Sequence, residues 1–230
     1  MDKVQLICDN LIVGYNQKQV LPPLTFALYE GDFLLIVGAN GTGKSTLCKT
    51  LLNLQNALSG KIILNNGVTS QDIGYLPQTT EIQKDFPATC FEVVLSGTVN
   101  NNKFFGFVTK KQKALAISKM QTLGILDLKN KSFKELSGGQ KQKVLLARAL
   151  CSTKKILLLD EPSSSLDVVA TKELYEILKR LNQEEKITII MISHDIVNSL
   201  EYVNKVLHTG DEVYILGVDE YKRRIENGTF

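Results

Sequence analysis

The sequence predicts an α/β protein whose strand-and-helix core is interrupted by a helical insert. Three observations carry this. Strand-like runs alternate with helical stretches along the chain, a glycine loop joins an apolar strand to a helix near residue 40, and the signal turns helical between Pro87 and Cys151 before strands return.

Taken in order, residues 6–15, 24–28 and 33–37 are rich in branched and aromatic side chains and read as strands. Asn16, Pro22, Pro23 and the Glu30-Gly31-Asp32 trio punctuate them. A helix is expected over 45–54, then short strands at 61–64 and 73–76, the second closed by Pro77. In the insert, Thr89 with Glu92 forms a capping box and Gly97 is the stop. Ala114, Ile117, Met120 and Leu123 recur at helical spacing across 110–123, before Gly124. Strands follow at 156–159, 187–192, 203–208 and 212–216, with a helix over 171–181.

A chain of 230 residues, 43% hydrophobic and 22% charged, suits one domain or a domain with a small subdomain. The formal charge is +3 with no run of five basic residues, which argues against nucleic acid as a partner. Cys8, Cys48, Cys90 and Cys151 lie far apart without a CxxC pair. That speaks against a zinc site or disulfide framework and fits a reducing cytoplasm. No secretory signal and no run of about 18 apolar residues is present, so a membrane role is expected to come through partners. There is no internal repeat or long linker.

Residues 38–45, GANGTGKS, fit GxxxxGK[ST] between an apolar strand and a helix. In such a loop, backbone N–H groups curl around phosphate oxygens and the helix N-terminus adds its positive end. Gly38, Asn40, Gly41, Thr42, Gly43 and Thr46 are candidate phosphate-loop residues, with Lys44 reaching the β and γ phosphates and the Ser45 hydroxyl on Mg²⁺. The run 156–159 suits a strand buried on both faces, and the two acids that end it, Asp160 and Glu161, need a positive partner. Magnesium is the natural one: Asp160 would hold it through its water shell, while Glu161 polarises the attacking water. Gln78 and His194 each follow a strand, where a γ-phosphate sensor could stand. His208 reads as structural.

Ser137 and Gln140 form a second capping box, so a helix starts at Ser137 with Gly138 and Gly139 in its first turn. Glycine there costs up to about 1 kcal/mol relative to alanine, yet it leaves the amides open to an anion. Since the glycine loop already wraps one face of a triphosphate, this second anion site is expected to serve a nucleotide on a neighbouring copy.

The motif LSGGQ, residues 136–140, resembles the signature sequence of ATP-binding cassette (ABC) proteins and lies between the glycine loop and the acidic strand in that family's order. The resemblance covers essentially the whole chain. It implies a P-loop NTPase core with a mainly parallel sheet and an N-terminal antiparallel β subdomain, residues 1–86 and 153–230, and a helical subdomain, 87–152, within one ABC ATPase domain. It makes Gln78 the Q-loop glutamine and an additional Mg²⁺ ligand, His194 the switch histidine, residues 165–167 part of the D-loop, and Tyr15 the aromatic stacking on adenine. Ala39 and Thr42 stand where Pro and Ala are commoner. Two cassettes, expected to be identical copies, would face head to tail so that ATP lies between residues 38–45 of one and Ser137, Gly138, Gly139 and Gln140 of the other.

Residues 85–97 and the ending 208–224 resemble the cassettes of zinc and manganese importers, with Cys90 where Val is commoner. This implies a cytoplasmic, membrane-peripheral ATPase subunit on a polytopic permease, served indirectly by an extracytoplasmic metal-binding protein. The permease's docking helix would sit beside Gln78 and residues 79–97. The alternatives are a cassette of another transporter class, or one outside transport such as a cluster-assembly factor. A monomeric P-loop kinase or GTPase would have no use for LSGGQ, and chromosome handling would need heptad arms that this chain lacks.

Overall fold

A computed structural model describes residues 3–78, 87–99, 108–153, 155–210 and 212–229. Its centre is a six-stranded sheet in the order β11-β10-β5-β9-β8-β7, from β5 (Phe33–Gly38), β7 (Ile73–Leu76), β8 (Ile156–Asp160), β9 (Thr188–Ile192), β10 (Lys205–Thr209) and β11 (Tyr214–Gly217). All neighbours pair in parallel except β11, which runs antiparallel to β10. A second, antiparallel sheet joins β1 (Val4–Ile12), β4 (Leu24–Tyr29) and β6 (Ser59–Leu64) in the order β4-β1-β6. A two-stranded hairpin, β2 (Gly14–Tyr15) and β3 (Lys18–Gln19), projects beside it.

The apolar runs of the central strands follow from burial on both faces. In β5, Phe33, Leu35 and Val37 enter one hydrophobic cluster while Leu34 and Ile36 enter the other. Leu157 and Leu159 of β8 divide from Ile156 and Leu158 in the same way. The first cluster takes in α2 (Cys90–Ser96), α3 (Lys110–Thr122), α4 (Gly138–Ser152) and α5 (Val168–Glu184); the second takes in the antiparallel sheet and α1 (Lys44–Leu51). Each fully buried Leu, Ile, Val or Phe contributes about 1.5–3 kcal/mol relative to exposure, so this two-sided filling fixes the sheet. Cys8, Cys48, Cys90 and Cys151 are free thiols buried in these clusters. Among the described residues no helix is long and apolar enough to cross a membrane.

Two helix starts follow the predicted caps: Thr89 and Ser137 each accept from the amide three residues on, with Glu92 and Gln140 closing the box. Thr109 with Gln112 forms a third box, at the start of α3, that the sequence reading did not mark. Several boundaries differ from expectation. The strand expected over 6–15 breaks after Ile12, and its end becomes β2, because Asn16 and Gln17 take left-handed φ values of 47° and 62° and turn the hairpin. The helix expected over 45–54 stops at Leu51, before Asn53 at φ 57°. The helix expected over 171–181 is longer, because the Asp167 carboxylate accepts from Ala170 N at 2.8 Å and starts it at Val168. The strand expected over 203–208 begins at Lys205, and that over 212–216 begins at Tyr214. A final helix, α7 (Val218–Glu226), was not predicted; Asp219 and Glu220 sit in its first turn, and Arg223 and Arg224 in its last. A short helix, α6 (Ile196–Ser199), follows β9.

Candidate nucleotide site

The glycine loop leaves β5 at its C-terminal edge and enters α1, the place where an open α/β sheet offers a ligand crevice. Gly38 has φ 146°, and a Cβ there would lie 2.2 Å from both the carbonyl oxygen and the hydroxyl of Thr209. The strand register explains the crowding, since Thr209 pairs with Gly38 across β10 and β5. The Thr209 hydroxyl donates to Val37 O at 2.9 Å and lies 2.8 Å from the Thr42 hydroxyl, which itself donates to Ala39 O at 3.0 Å. Gly43, the N-cap of α1, offers no side-chain cap, so the first-turn amides keep their donors for a ligand.

A cleft of about 410 Å³ opens above this loop. Its lining brings together Tyr15 from the hairpin, Asn40, Gly41, Gly43, Lys44, Ser45 and Thr46 from the loop and α1, and Gln78, Asp160, Glu161 and His194 from the ends of β7, β8 and β9. Gly38 and Thr42 shape the loop from behind the lining. Lys44 is buried and donates from Nζ to Gly38 O and Ala39 O, each at 2.8 Å. Burial pushes its pKa down, while Glu161 and Asp160 oppose the shift by attraction.

Burial likewise pushes both carboxylates up, with Lys44 countering at each and His194 the stronger counterweight at Glu161. Glu161 holds a left-handed φ of 49°, a conformation that costs a non-glycine residue about 1–2 kcal/mol, and its N–H donates to Ile192 O at 3.0 Å. His194 N donates to Glu161 Oε2 at 3.3 Å. The His194 ring nitrogen Nε2 stands 3.2 Å from Oε1, yet it is not aligned as a donor, and Oε1 is buried without a hydrogen bond. A buried carboxylate oxygen with no donor calls for water or substrate as its partner. The Ser45 hydroxyl, the Gln78 amide oxygen and the Asp160 carboxylate offer hard oxygen donors in one cleft, a set that fits Mg²⁺.

Tyr15 is 45% exposed, and its hydroxyl accepts from Lys49 Nζ at 3.4 Å. Its pKa is lowered, first through a hydrogen bond with Thr46. Ser137, Gly138, Gly139 and Gln140 do not line this cleft. They open α4 beside residues 165–170: a Cβ on Gly138 would lie 3.4 Å from Ser165 O, and one on Gly139 3.1 Å from Ala170 Cβ. The two glycines thus also admit this neighbouring segment, a role that spacing alone did not disclose. Of the segment expected to receive a permease helix, 79–86 lies outside the described residues. His208 Nδ1 lies 3.0 Å from the Tyr221 hydroxyl, a contact internal to the fold.

Sequence reasoning missed Thr209, whose only signal is a polar residue ending a strand and whose importance depends on which strand lies next to β5. It also missed Val20 and Ile192, apolar lining residues that no motif marks.

A family model described as ABC transporter matches residues 21–164. The manganese transport system ATP-binding protein MntB of Bacillus subtilis (strain 168) is 34% identical, over 95% of this chain and 88% of that protein. The zinc uptake system ATP-binding protein ZurA of Listeria innocua is 33% identical, over 91% of this chain and 84% of that one. An inward-facing putative metal-chelate type ABC transporter superposes with a TM-score of 0.86 at 29% identity, over 95% of this chain and 85% of that one. Motif order, cleft geometry and these likenesses agree that the chain belongs to the ABC transporter family as an ATP-binding, ATP-hydrolysing cassette.

Proposed function

We propose that this cassette is the ATPase subunit that powers import of a divalent metal ion, zinc or manganese, through a polytopic permease at whose inner face it sits. One observation carries the ATPase chemistry: a single cleft joins the Lys44 loop to Asp160, Glu161, Gln78 and His194 from three separate strand ends. The metal assignment rests on the manganese and zinc systems to which the relatives belong.

The loop amides and Lys44 hold the β and γ phosphates, and the ring of Tyr15 offers a face for adenine. Mg²⁺, held by Ser45 and Gln78 and by Asp160 through water, would neutralise charge on the transferred phosphoryl group. Glu161 Oε1, buried and without a donor, orients and polarises the attacking water, and the raised pKa of the carboxyl suits it to take up the proton. His194 lies against Glu161, with its Nε2 3.2 Å from Oε1, and would steady both that carboxylate and the γ-phosphate. Ser137, Gly138, Gly139 and Gln140, turned away from this cleft, would cap the nucleotide of a second, identical cassette. ATP then closes the pair and hydrolysis opens it.

The test is Glu161→Gln. It should bind MgATP with near-parental affinity, lose at least about a hundredfold in turnover, in line with the usual contribution of a general base, and elute as an ATP-dependent dimer. Fast hydrolysis by this variant removes Glu161 as the base; a strictly monomeric variant saturated with MgATP removes the shared site. Cotranscription with a polytopic permease and a metal-binding lipoprotein checks the cargo class.

A further inference from the structure

One side chain on the buried face of α5 carries a polar atom into the core. Leu174, Ile177, Leu178 and Leu181 fill that face with aliphatic groups, and Tyr175 lies among them at 1% exposure. Its ring stacks on that of Tyr202, with centroids 5.2 Å apart and planes at 25°. A phenylalanine would fill the same space without taking a hydroxyl out of water, so the hydroxyl has to be met by partners. Among the described residues it has two, Ser199 Oγ at 3.0 Å and Ser163 Oγ at 3.4 Å. Ser199 Oγ in turn donates its one proton to Asp195 O at 2.5 Å.

That last bond sets the direction of the others. With its proton engaged on Asp195 O, Ser199 Oγ accepts from Tyr175, and the Tyr175 oxygen is left to accept from Ser163. The hydrogen bonds therefore run one way, from Ser163 to Tyr175 to Ser199 to Asp195, an order in which each polarises the next. Both ends of this chain lie beside the reacting pair: Ser163 stands two residues after Glu161, and Asp195 directly follows His194. The sheet ties the two segments at their roots, where Glu161 N donates to Ile192 O. Beyond that point, among the described residues, no backbone hydrogen bond joins 162–167 to 193–199. A cavity of about 620 Å³ opens against both segments instead, lined in part by Glu161, Ser163, Tyr175, His194 and Asp195.

We propose that Tyr175 is a positioning residue for hydrolysis: its hydroxyl links the segment after Glu161 to the segment after His194 and so holds these two side chains in register with one another. The inference rests on the reading of Glu161 and His194 as base and companion. Tyr175 does not line the nucleotide cleft, so the linkage acts on the chemical step and not on binding. Tyr175→Phe keeps the ring and its stack and removes only the hydroxyl. Measured well below the Tm of each variant, it should lower kcat roughly three- to tenfold, the rate equivalent of one hydrogen bond, with KM and the dissociation constant for MgATP within about twofold of parental. Ser163→Ala, which cuts the chain at its first link, should lower kcat at least about twofold, and the double variant Tyr175→Phe/Ser163→Ala should be as slow as Tyr175→Phe and no slower. Tyr202→Phe is the control. It removes a hydroxyl from the same stack, but one that donates to Glu176 at 3.1 Å and reaches neither segment, so kcat should stay parental.

Parental kcat in Tyr175→Phe or in Ser163→Ala overturns the proposal, whatever the change in Tm. A loss that appears in KM instead of kcat, that multiplies in the double variant, or that Tyr202→Phe matches also overturns it, since each marks a role in the fold alone. If Tyr175→Phe does not fold, the kcat of Ser163→Ala decides. Fast hydrolysis by Glu161→Gln would remove the reading beneath this inference. Slow hydrolysis by Glu161→Gln beside a parental Tyr175→Phe would remove the inference and leave that reading standing.

Discussion

Gly38→Ala should damage this protein far more than Gly41→Ala, although both glycines belong to one loop and both have positive φ. At Gly41, φ is 83° and an added methyl meets nothing within 4 Å, so the cost is that of holding alanine in left-handed space, about 1–2 kcal/mol. At Gly38, φ is 146° and the methyl would sit 2.2 Å from the Thr209 carbonyl oxygen, a backbone atom fixed by the β10–β5 ladder. The ladder must therefore open locally, adding the ~1–3 kcal/mol typical of overpacking and bringing the total to about 2–5 kcal/mol. Against an expected stability of about 5–15 kcal/mol, that is a large share. For a chain of this size the Tm should fall by roughly 4–20 °C for Gly38→Ala and by roughly 2–8 °C for Gly41→Ala. Urea unfolding followed by circular dichroism reads the stability, and titration with MgATP reads the loop. Equal losses in the two variants, or a Gly38→Ala protein within about 0.5 kcal/mol of the parent, would refute the crowding by Thr209.

Two further outcomes follow from contacts outside the loop. Asp167→Ala removes the cap of α5 and should cost about 1 kcal/mol in urea unfolding, whereas Asp167→Asn, which keeps an acceptor oxygen, should cost only a few tenths; equal losses would remove the capping role. Burial pushes the pKa of His208 below its usual 6.5, so folding disfavours its protonation. The native chain then binds fewer protons than the unfolded one, and stability falls as pH drops through about 6.5 toward the lowered value. Relative to His208→Gln, the parent should lose stability between about pH 7.5 and pH 5.5, and a constant gap across that range would contradict the assignment.

The parts of this fold written in local chemistry were readable before any coordinates. Thr89 with Glu92 and Ser137 with Gln140 signal helix starts because each pair satisfies its own amides, and the runs in β5 and β8 signal burial on both faces. The glycine loop was legible for the same reason: strand, loop and helix are contiguous. Legibility ended where meaning depends on a distant neighbour. Thr209 looks like any strand-end threonine until β10 is placed against β5. Asn16 was marked as turn material, but the break of the expected strand 6–15 after Ile12, which lets residues 14–15 pair with 18–19 around the left-handed Asn16 and Gln17, was not legible. In α7 only Tyr221 is buried, too little apolar periodicity to distinguish a helix from a polar tail.

Glu161 and His194 sit at the tips of two strands laced side by side, and the amide of Glu161 is itself tied to Ile192 at the end of β9. The strands that carry the proposed base and its companion cannot be drawn apart without unzipping the middle of the sheet. If the cleft is completed by a second cassette as proposed, a membrane partner that governs the approach of two such bodies would govern the reaction without touching either group.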